Sequence, residues 1–170
     1  MDKNENKIID ECKHIVDKLF NDNESSNKIW TEEFKKGLLK IGKQEGYSVY
    51  TEGVGDIGKD KDWNEWLWDL VWAKQQPISE TGENMVIHLP LIAEIEWKTS
   101  YEEILQDFQK LVFGIADYKL YIFTKTDNPK SISDFCRKLS DVNKSYKHGK
   151  YLLLGIPSLN QDREIYIDSY

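Results

Sequence analysis

Cysteine is scarce in this chain of 170 residues, which contains only Cys12 and Cys136. Two cysteines cannot build the disulfide framework of a small secreted protein, and neither has neighbours at metal-ligand spacing. We expect both to be small buried thiols. No apolar run approaches the ~18 residues of a membrane span. No apolar segment typical of a secretory signal follows the N-terminal MDKNENK. These absences predict a cytoplasmic protein without a membrane partner.

Positive charge is also in short supply. The sequence holds 23 Lys and Arg against 30 Asp and Glu, which gives a formal net charge of −7. This balance counts against a protein that coats nucleic acid, because Lys and Arg drive phosphate binding. Residues 119–150 are the exception, with eight basic and three acidic side chains. This region could approach phosphate or could merely solvate a helix face. Its candidate nucleic-acid-binding residues are Arg137, Lys138, Lys144 and Lys147.

A regular succession of amphipathic and apolar segments predicts an α/β fold with a central mixed sheet flanked by helices. Periodicity predicts helices over 8–20, 31–45, 101–116 and 131–146, and strands over 47–50, 65–74, 86–98, 120–123, 151–156 and 164–168. The apolar faces of the last two helices include Leu105, Ile115 and Val142. A single domain over 1–170 fits this length. Its parts are an N-terminal helix and connection (1–28), a core (31–123), and a C-terminal helix with closing strands (124–170).

Charged residues interrupt two of the most apolar strands. Asp69 lies at the centre of WLWDLVW, and Glu96 and Lys98 lie late in LIAEIEWK. An unpaired carboxylate is costly to bury, and side chains alternate between the faces of a strand. Antiparallel pairing of residues 65–73 with 91–98 would bring the Asp69 and Glu96 carboxylates within one metal's reach, roughly 3–6 Å apart. Two acids and an ammonium at one place suit Mg²⁺-assisted chemistry on a phosphate.

Residues 31–123 resemble the PD-(D/E)XK nuclease superfamily. Its core is helix, strand, strand, strand, helix, strand, with an acid on the second strand and a (D/E)XK element on the third. The resemblance implies a restriction-endonuclease-like fold and a nuclease dependent on Mg²⁺ or Mn²⁺, with DNA as the favoured substrate. It makes Asp69 and Glu96 metal ligands and Lys98 the residue that positions or deprotonates water. Further implied site residues are Glu33, as a helix glutamate, and Gln109 or Lys110, from the second core helix. Trp68 stands where the signature has proline.

Each assignment has a simpler alternative. Asp69, Glu96 and Lys98 could be a structural ion cluster, and Glu33 could only favour the positive end of its helix. Glu94 shares a face with Glu96 and could be an extra ligand, but an exposed acid at a strand start is favoured. The rival functions are a catalytically silent domain of the same fold that binds nucleic acid or a protein partner, and an acidic immunity-type inhibitor. The resemblance also leaves a homodimer open, since many nucleases of this kind dimerise to cut both strands, but no interface is evident in the sequence.

Overall fold

The chain forms four helices and six strands within residues 3–51, 67–142 and 148–170, the ranges that the computed structural model describes. The helices are α1 (Lys3–Asn21), α2 (Asn27–Gln44), α3 (Tyr101–Phe113) and α4 (Pro129–Val142). The strands are β1 (Ser48–Thr51), β2 (Leu70–Pro77), β3 (Asn84–Glu96), β4 (Tyr118–Thr124), β5 (Lys150–Ile156) and β6 (Tyr166–Ser169). The order of these helices and strands along the chain confirms the predicted order. α2 begins earlier than predicted, because Ser26 rather than Thr31 precedes its first turn.

All six strands join one mixed sheet, in which the spatial order is the chain order from β1 to β6. β1, β2 and β3 are antiparallel, β3, β4 and β5 are parallel, and β6 returns antiparallel to β5. α3 and α4 provide the crossovers that parallel pairing requires. The predicted hairpin is confirmed, with Leu70 opposite Ala93. Its strands extend further into the turn than predicted, to Pro77 and from Asn84. At the other end they are shorter than predicted, since β2 begins at Leu70 and β3 ends at Glu96, which leaves Asp69 and Lys98 just outside them.

Helices cover both faces of the sheet because its central strands are apolar on both sides. α1 and α2 lie on one face, where Leu38 belongs to the same core cluster as Leu91 and Ala93. We call this the α2 face. α3 and α4 lie on the other face, where Phe108 belongs to the same cluster as Ile92. We call this the α3 face. The structure is therefore a mixed α/β sheet flanked by helices, as predicted.

Helix α1 is tied to the C-terminal part of the chain. The Lys150 ammonium donates to Glu5 at 2.6 Å, and Arg163 donates to the Asn21 side chain at 2.8 Å. Cys12 of α1 is buried in the core of the α2 face, and Cys136 is buried on the α3 face, so both are the buried thiols expected. Over the described ranges, no helix combines the length and apolar character needed to cross a membrane.

Three side chains that helical spacing assigns to the core lie in solvent instead. α3 ends just before Gly114, so Ile115 falls outside the helix and is 61% exposed. Leu105 lies on α3 but is 40% exposed. Val142 is the last residue of α4 and is 86% exposed. In both helices the face that contacts the sheet is narrower or shorter than the apolar stripe in the sequence.

Gly149 precedes β5 in a backbone conformation that favours glycine. Its φ is +83°, and a Cβ there would lie 1.8 Å from the Ala116 carbonyl oxygen. We expect Gly149→Ala to lower the free energy of unfolding by about 2–4 kcal/mol, because a strained backbone and a main-chain collision both have to be relieved. Urea denaturation measures the loss. Gly82→Ala is the matched control, since its φ is +70° but no described atom lies within 4 Å of the added Cβ. Equal losses in the two variants would show that the contact with Ala116 is unimportant.

Candidate active site

Asp69 lies one residue before β2, and two groups hold its carboxylate. Oδ2 accepts a hydrogen bond from the Ile95 N–H at 2.9 Å, and Oδ1 lies 3.0 Å from the Lys35 ammonium of α2. Leu70 of β2 pairs with Ala93 of the antiparallel strand β3. Extending this register by one residue places Asp69 opposite Glu94 rather than Glu96. The structure therefore brings Asp69 beside a different acid from the one that the sequence favours.

Glu94 lies at the same strand end and is only 2% exposed. Its Oε2 lies 3.1 Å from the Lys110 ammonium of α3. Its Oε1 is buried and has no hydrogen-bond partner among the described residues. Burial, followed by the negative charge of Asp69, raises the pKa of the Glu94 carboxyl to about 8. Near neutral pH this carboxyl therefore holds a proton that a bound cation could replace.

Glu96 and Asp107 form a carboxyl pair next to Glu94. Glu96 accepts a hydrogen bond from the Lys98 backbone N–H at 2.6 Å, and its carboxyl is also hydrogen-bonded to Asp107. Burial raises the pKa of Glu96, and Asp107 acts in the same direction. Asp107 in turn lies 2.7 Å from the Lys110 ammonium. We define the acidic cluster by its four carboxylates and the lysine that bridges two of them: Asp69, Glu94, Glu96, Asp107 and Lys110.

The charged ends of Lys98 and Glu33 are engaged elsewhere. The Lys98 ammonium lies 2.8 Å from Glu103, and its side chain is 67% exposed. The hydrogen bond with Glu103 raises the pKa of Lys98, so its amine stays protonated at neutral pH. The Glu33 carboxylate accepts from Lys18 at 2.6 Å and from Lys36 at 2.8 Å, and these bonds lower its pKa. Two residues that the sequence assigns to catalysis thus contact partners outside the acidic cluster.

Tyr121 of β4 places a second unpaired polar atom beside the acidic cluster. Its side chain is fully buried, and its hydroxyl finds no hydrogen-bond partner in the described ranges. The parallel register of β3 and β4 pairs Tyr121 with Glu94. Burial raises the pKa of the Tyr121 hydroxyl, so it remains a neutral donor. Two buried oxygens, on paired residues of neighbouring strands, therefore lack hydrogen-bond partners among the described residues.

The predicted nucleic-acid-binding residues are described only in part. The Arg137 guanidinium donates to Asp168 at 2.5 Å and lies 3.9 Å from the centroid of the Tyr170 ring. These contacts fix Arg137 against the C-terminal strand, and 38% of its side chain remains exposed. Lys138 is exposed on α4. The other two predicted residues, Lys144 and Lys147, lie outside the described residues.

The acidic cluster fits a divalent cation if a substrate completes the coordination. In the part of the chain that the structure describes, no three acidic, histidine or cysteine side chains converge as a ready-made metal cage. Glu94 and Glu96 nevertheless offer hard oxygen donors on one strand, and Glu94 has an unused buried oxygen. Mg²⁺ often takes only one or two carboxylates together with phosphate oxygens of a substrate. The donor set therefore suits Mg²⁺ or Mn²⁺ with a phosphate ligand.

Two members of the acidic cluster are not evident as site residues in the sequence. The sequence favours an exposed acid at Glu94 and assigns no role to Asp107. Lys110 is one of two residues of the second core helix that the resemblance suggests for the site. The spacing of Asp107 and Lys110, three residues apart on a helix, is a signal that could have found both. Comparison with protein-family models, curated proteins and solved structures finds no match. The function must therefore follow from the chemistry of the acidic cluster.

Proposed function

We propose that this protein is a nuclease dependent on Mg²⁺ or Mn²⁺, with DNA as its favoured substrate and the cytoplasm as its location. The observation that supports this most is the buried Glu94 Oε1, which has no hydrogen-bond partner among the described residues. Buried polar atoms in folded proteins nearly always have a partner. For a carboxylate oxygen among other carboxylates, a hard divalent cation is the partner that the chemistry favours.

The order of elements around the acidic cluster supports a restriction-endonuclease-like fold. α2, the antiparallel strands β1 to β3, α3 and the parallel strand β4 follow one another as in the PD-(D/E)XK core. An acid before β2 and acids late in β3 meet at one end of the hairpin. Because one fold can host many functions, the chemistry of the acidic cluster has more weight than this likeness.

In this proposal Glu94 and Glu96 hold the cation, and Asp69 and Asp107 add negative charge around it. When bound, Mg²⁺ neutralises charge on the phosphodiester and acidifies the attacking water. Lys110 already bridges Glu94 and Asp107, at 3.1 and 2.7 Å. Its ammonium can therefore orient a phosphate oxygen or the attacking water at the same place. Lys110 takes the role that the sequence favours for Lys98.

Glu96→Gln and Lys110→Met should each slow metal-dependent DNA cleavage by about 10²-fold or more, because each removes a group that acts on the reacting phosphate. Initial rates with plasmid and labelled oligonucleotide substrates in Mg²⁺ or Mn²⁺ measure the effect. Lys98→Met is the matched control for Lys110→Met. It makes the same replacement at an ammonium held by Glu103 and should leave the rate near that of the wild type.

Calorimetry with Mg²⁺ and Mn²⁺ separates the proposed roles. Glu96→Gln should lose metal binding, whereas Lys110→Met should keep it. If Lys98→Met is inactive and Lys110→Met is active, the lysine role belongs to Lys98. A wild-type protein that binds nucleic acid but neither binds metal nor cleaves DNA or RNA would be a silent binding domain. Failure to bind nucleic acid as well would favour the acidic inhibitor.

A further inference from the structure

A cavity of about 300 Å³ opens at the carboxyl ends of β3, β4 and β5. Glu24 and Trp30, around the start of α2, line one side of it. Trp97, Thr124 and the segment 156–160, at the ends of the three strands, line the rest. In open α/β sheets, ligands commonly bind outside the carboxyl ends of the strands. The volume lies at the lower end of the range for small-molecule sites.

The cavity and the acidic cluster meet at the end of β3. Glu96, the last residue of β3, belongs to the acidic cluster, whereas the next residue, Trp97, contacts the core of the α2 face and lines the cavity. Hydrogen bonds fix Trp97: its indole N–H donates to Thr31 at 2.7 Å, and its carbonyl accepts from Thr124 at 2.7 Å. The side chains of Glu96 and Trp97 point to opposite faces, so the acidic cluster and the cavity lie on the two sides of the end of β3. A nucleic-acid strand that crosses this end, with a phosphate at the acidic cluster, can place the base of a nearby nucleotide at the cavity.

The cavity lining favours a planar, polar and uncharged ligand. Trp97, which is half-buried, gives the cavity an aromatic side, and the buried Trp30, only 6% exposed, packs edge-on against it with ring centroids 6.2 Å apart and planes at 72°. The described lining includes no lysine or arginine, so it does not favour a phosphate. No hydrogen bond joins the side-chain amide of Asn27 or Asn160 to another described residue. Glu24 adds a carboxylate, one oxygen of which accepts from a backbone N–H at 2.7 Å.

We propose that this cavity binds an unstacked nucleobase of the substrate strand and prefers adenine or cytosine, an inference that rests on the proposed nuclease function. The half-buried indole ring of Trp97 offers a stacking surface that any base can use. An asparagine amide can both donate to and accept from adenine, and a carboxylate accepts from the exocyclic amino group of cytosine. Uracil and thymine lack that amino group and match this lining less well.

Titration of free nucleosides tests the proposal on the full-length protein. Adenosine, cytidine and uridine are added to millimolar levels without divalent metal, and indole N–H signals are followed by NMR. Adenosine and cytidine should shift the signals of Trp30 and Trp97, with uridine binding about tenfold more weakly. The Trp68 signal should stay in place, because its indole N–H donates to the Lys110 carbonyl at 3.0 Å, away from the cavity.

The Asn27→Ala/Asn160→Ala double variant should bind adenosine about tenfold more weakly than the wild type, through the loss of two hydrogen bonds. Asn84→Ala, on the exposed β2–β3 hairpin, is the control and should bind normally. The proposal is overturned if no nucleoside shifts Trp30 or Trp97, or if all three bind equally and the double variant is unaffected. Cleavage without nucleoside binding rejects the base site alone, and nucleoside binding without cleavage rejects the nuclease alone.

Discussion

Glu94→Gln should make the protein more stable than the wild type at pH 8 and about equally stable at pH 5. Burial, then the charge of Asp69, raises the pKa of Glu94 to about 8 in the folded protein, whereas an unfolded chain titrates near the usual ~4.3. Between these values the folded state binds more protons than the unfolded state. The wild type therefore loses stability as the pH rises through this window, by about 3–5 kcal/mol from this group. Glutamine keeps the shape of the side chain and removes the ionisation.

Urea denaturation between pH 5 and pH 9, without divalent metal, measures this effect. Glu83→Gln, at an exposed position of the β2–β3 turn, is the control and should keep the wild-type dependence on pH. Added Mg²⁺ should stabilise the wild type at pH 8 but not Glu94→Gln, because a ligand that binds only the folded state shifts the equilibrium toward it. An unchanged pH dependence in Glu94→Gln would show that Glu94 ionises as freely as an exposed acid.

Lys119→Met should stabilise the protein by about 2–3 kcal/mol near pH 6.5, because it removes a buried charge. Lys119 is fully buried on β4, and its described partner is the Tyr151 hydroxyl at 3.3 Å. Burial lowers the pKa of Lys119 to about 8, below the ~10.4 expected in an unfolded chain. The folded state therefore binds fewer protons than the unfolded state between these values. The buried Lys119 charge therefore lowers the free energy of unfolding by its full amount below pH 8, and this loss disappears as the pH rises toward ~10.4.

Denaturation at pH 6.5 and pH 10.5 measures the effect of Lys119→Met. The gain should be present at pH 6.5 and absent or reversed at pH 10.5, where the lysine is neutral in the folded state and only about half charged in the unfolded state. Lys138→Met, on the exposed side of α4, is the control and should change stability little at either pH. A loss of stability in Lys119→Met at pH 6.5 would show that the contact with Tyr151 outweighs the desolvation of the ammonium.

The sequence predicts the hairpin but not its register. Alternating and apolar runs mark both strands, and the turn residues between them require antiparallel pairing. The register also depends on two shifts in β2, between Trp72 and Lys74 and between Lys74 and Gln75. No sequence pattern marks these shifts, and each alters which residues face one another. As a result Asp69 lies opposite Glu94, and the carboxylates that meet are not those that the (D/E)XK string suggests.

Long-range charge pairs are equally hidden in the sequence. The basic stretch around α4 suggests a surface for phosphate, but Arg137 pairs with Asp168 of β6, 31 residues further along the chain. Lys35 and Asp69 are likewise joined only when α2 packs beside the start of β2. Helical and strand periodicity show which residues face the core. They do not show which of the charged residues outside it become neighbours.

The six strands lie in the sheet in the same order as along the chain, and this affects how the protein folds during its synthesis. Each strand from β2 to β6 can add to the strand synthesised just before it, so the sheet can grow as the chain leaves the ribosome. Helix α1 is synthesised first, yet its bonds to Lys150 and Arg163 cannot form until those residues emerge. Until then part of the apolar surface of the α2 face remains uncovered.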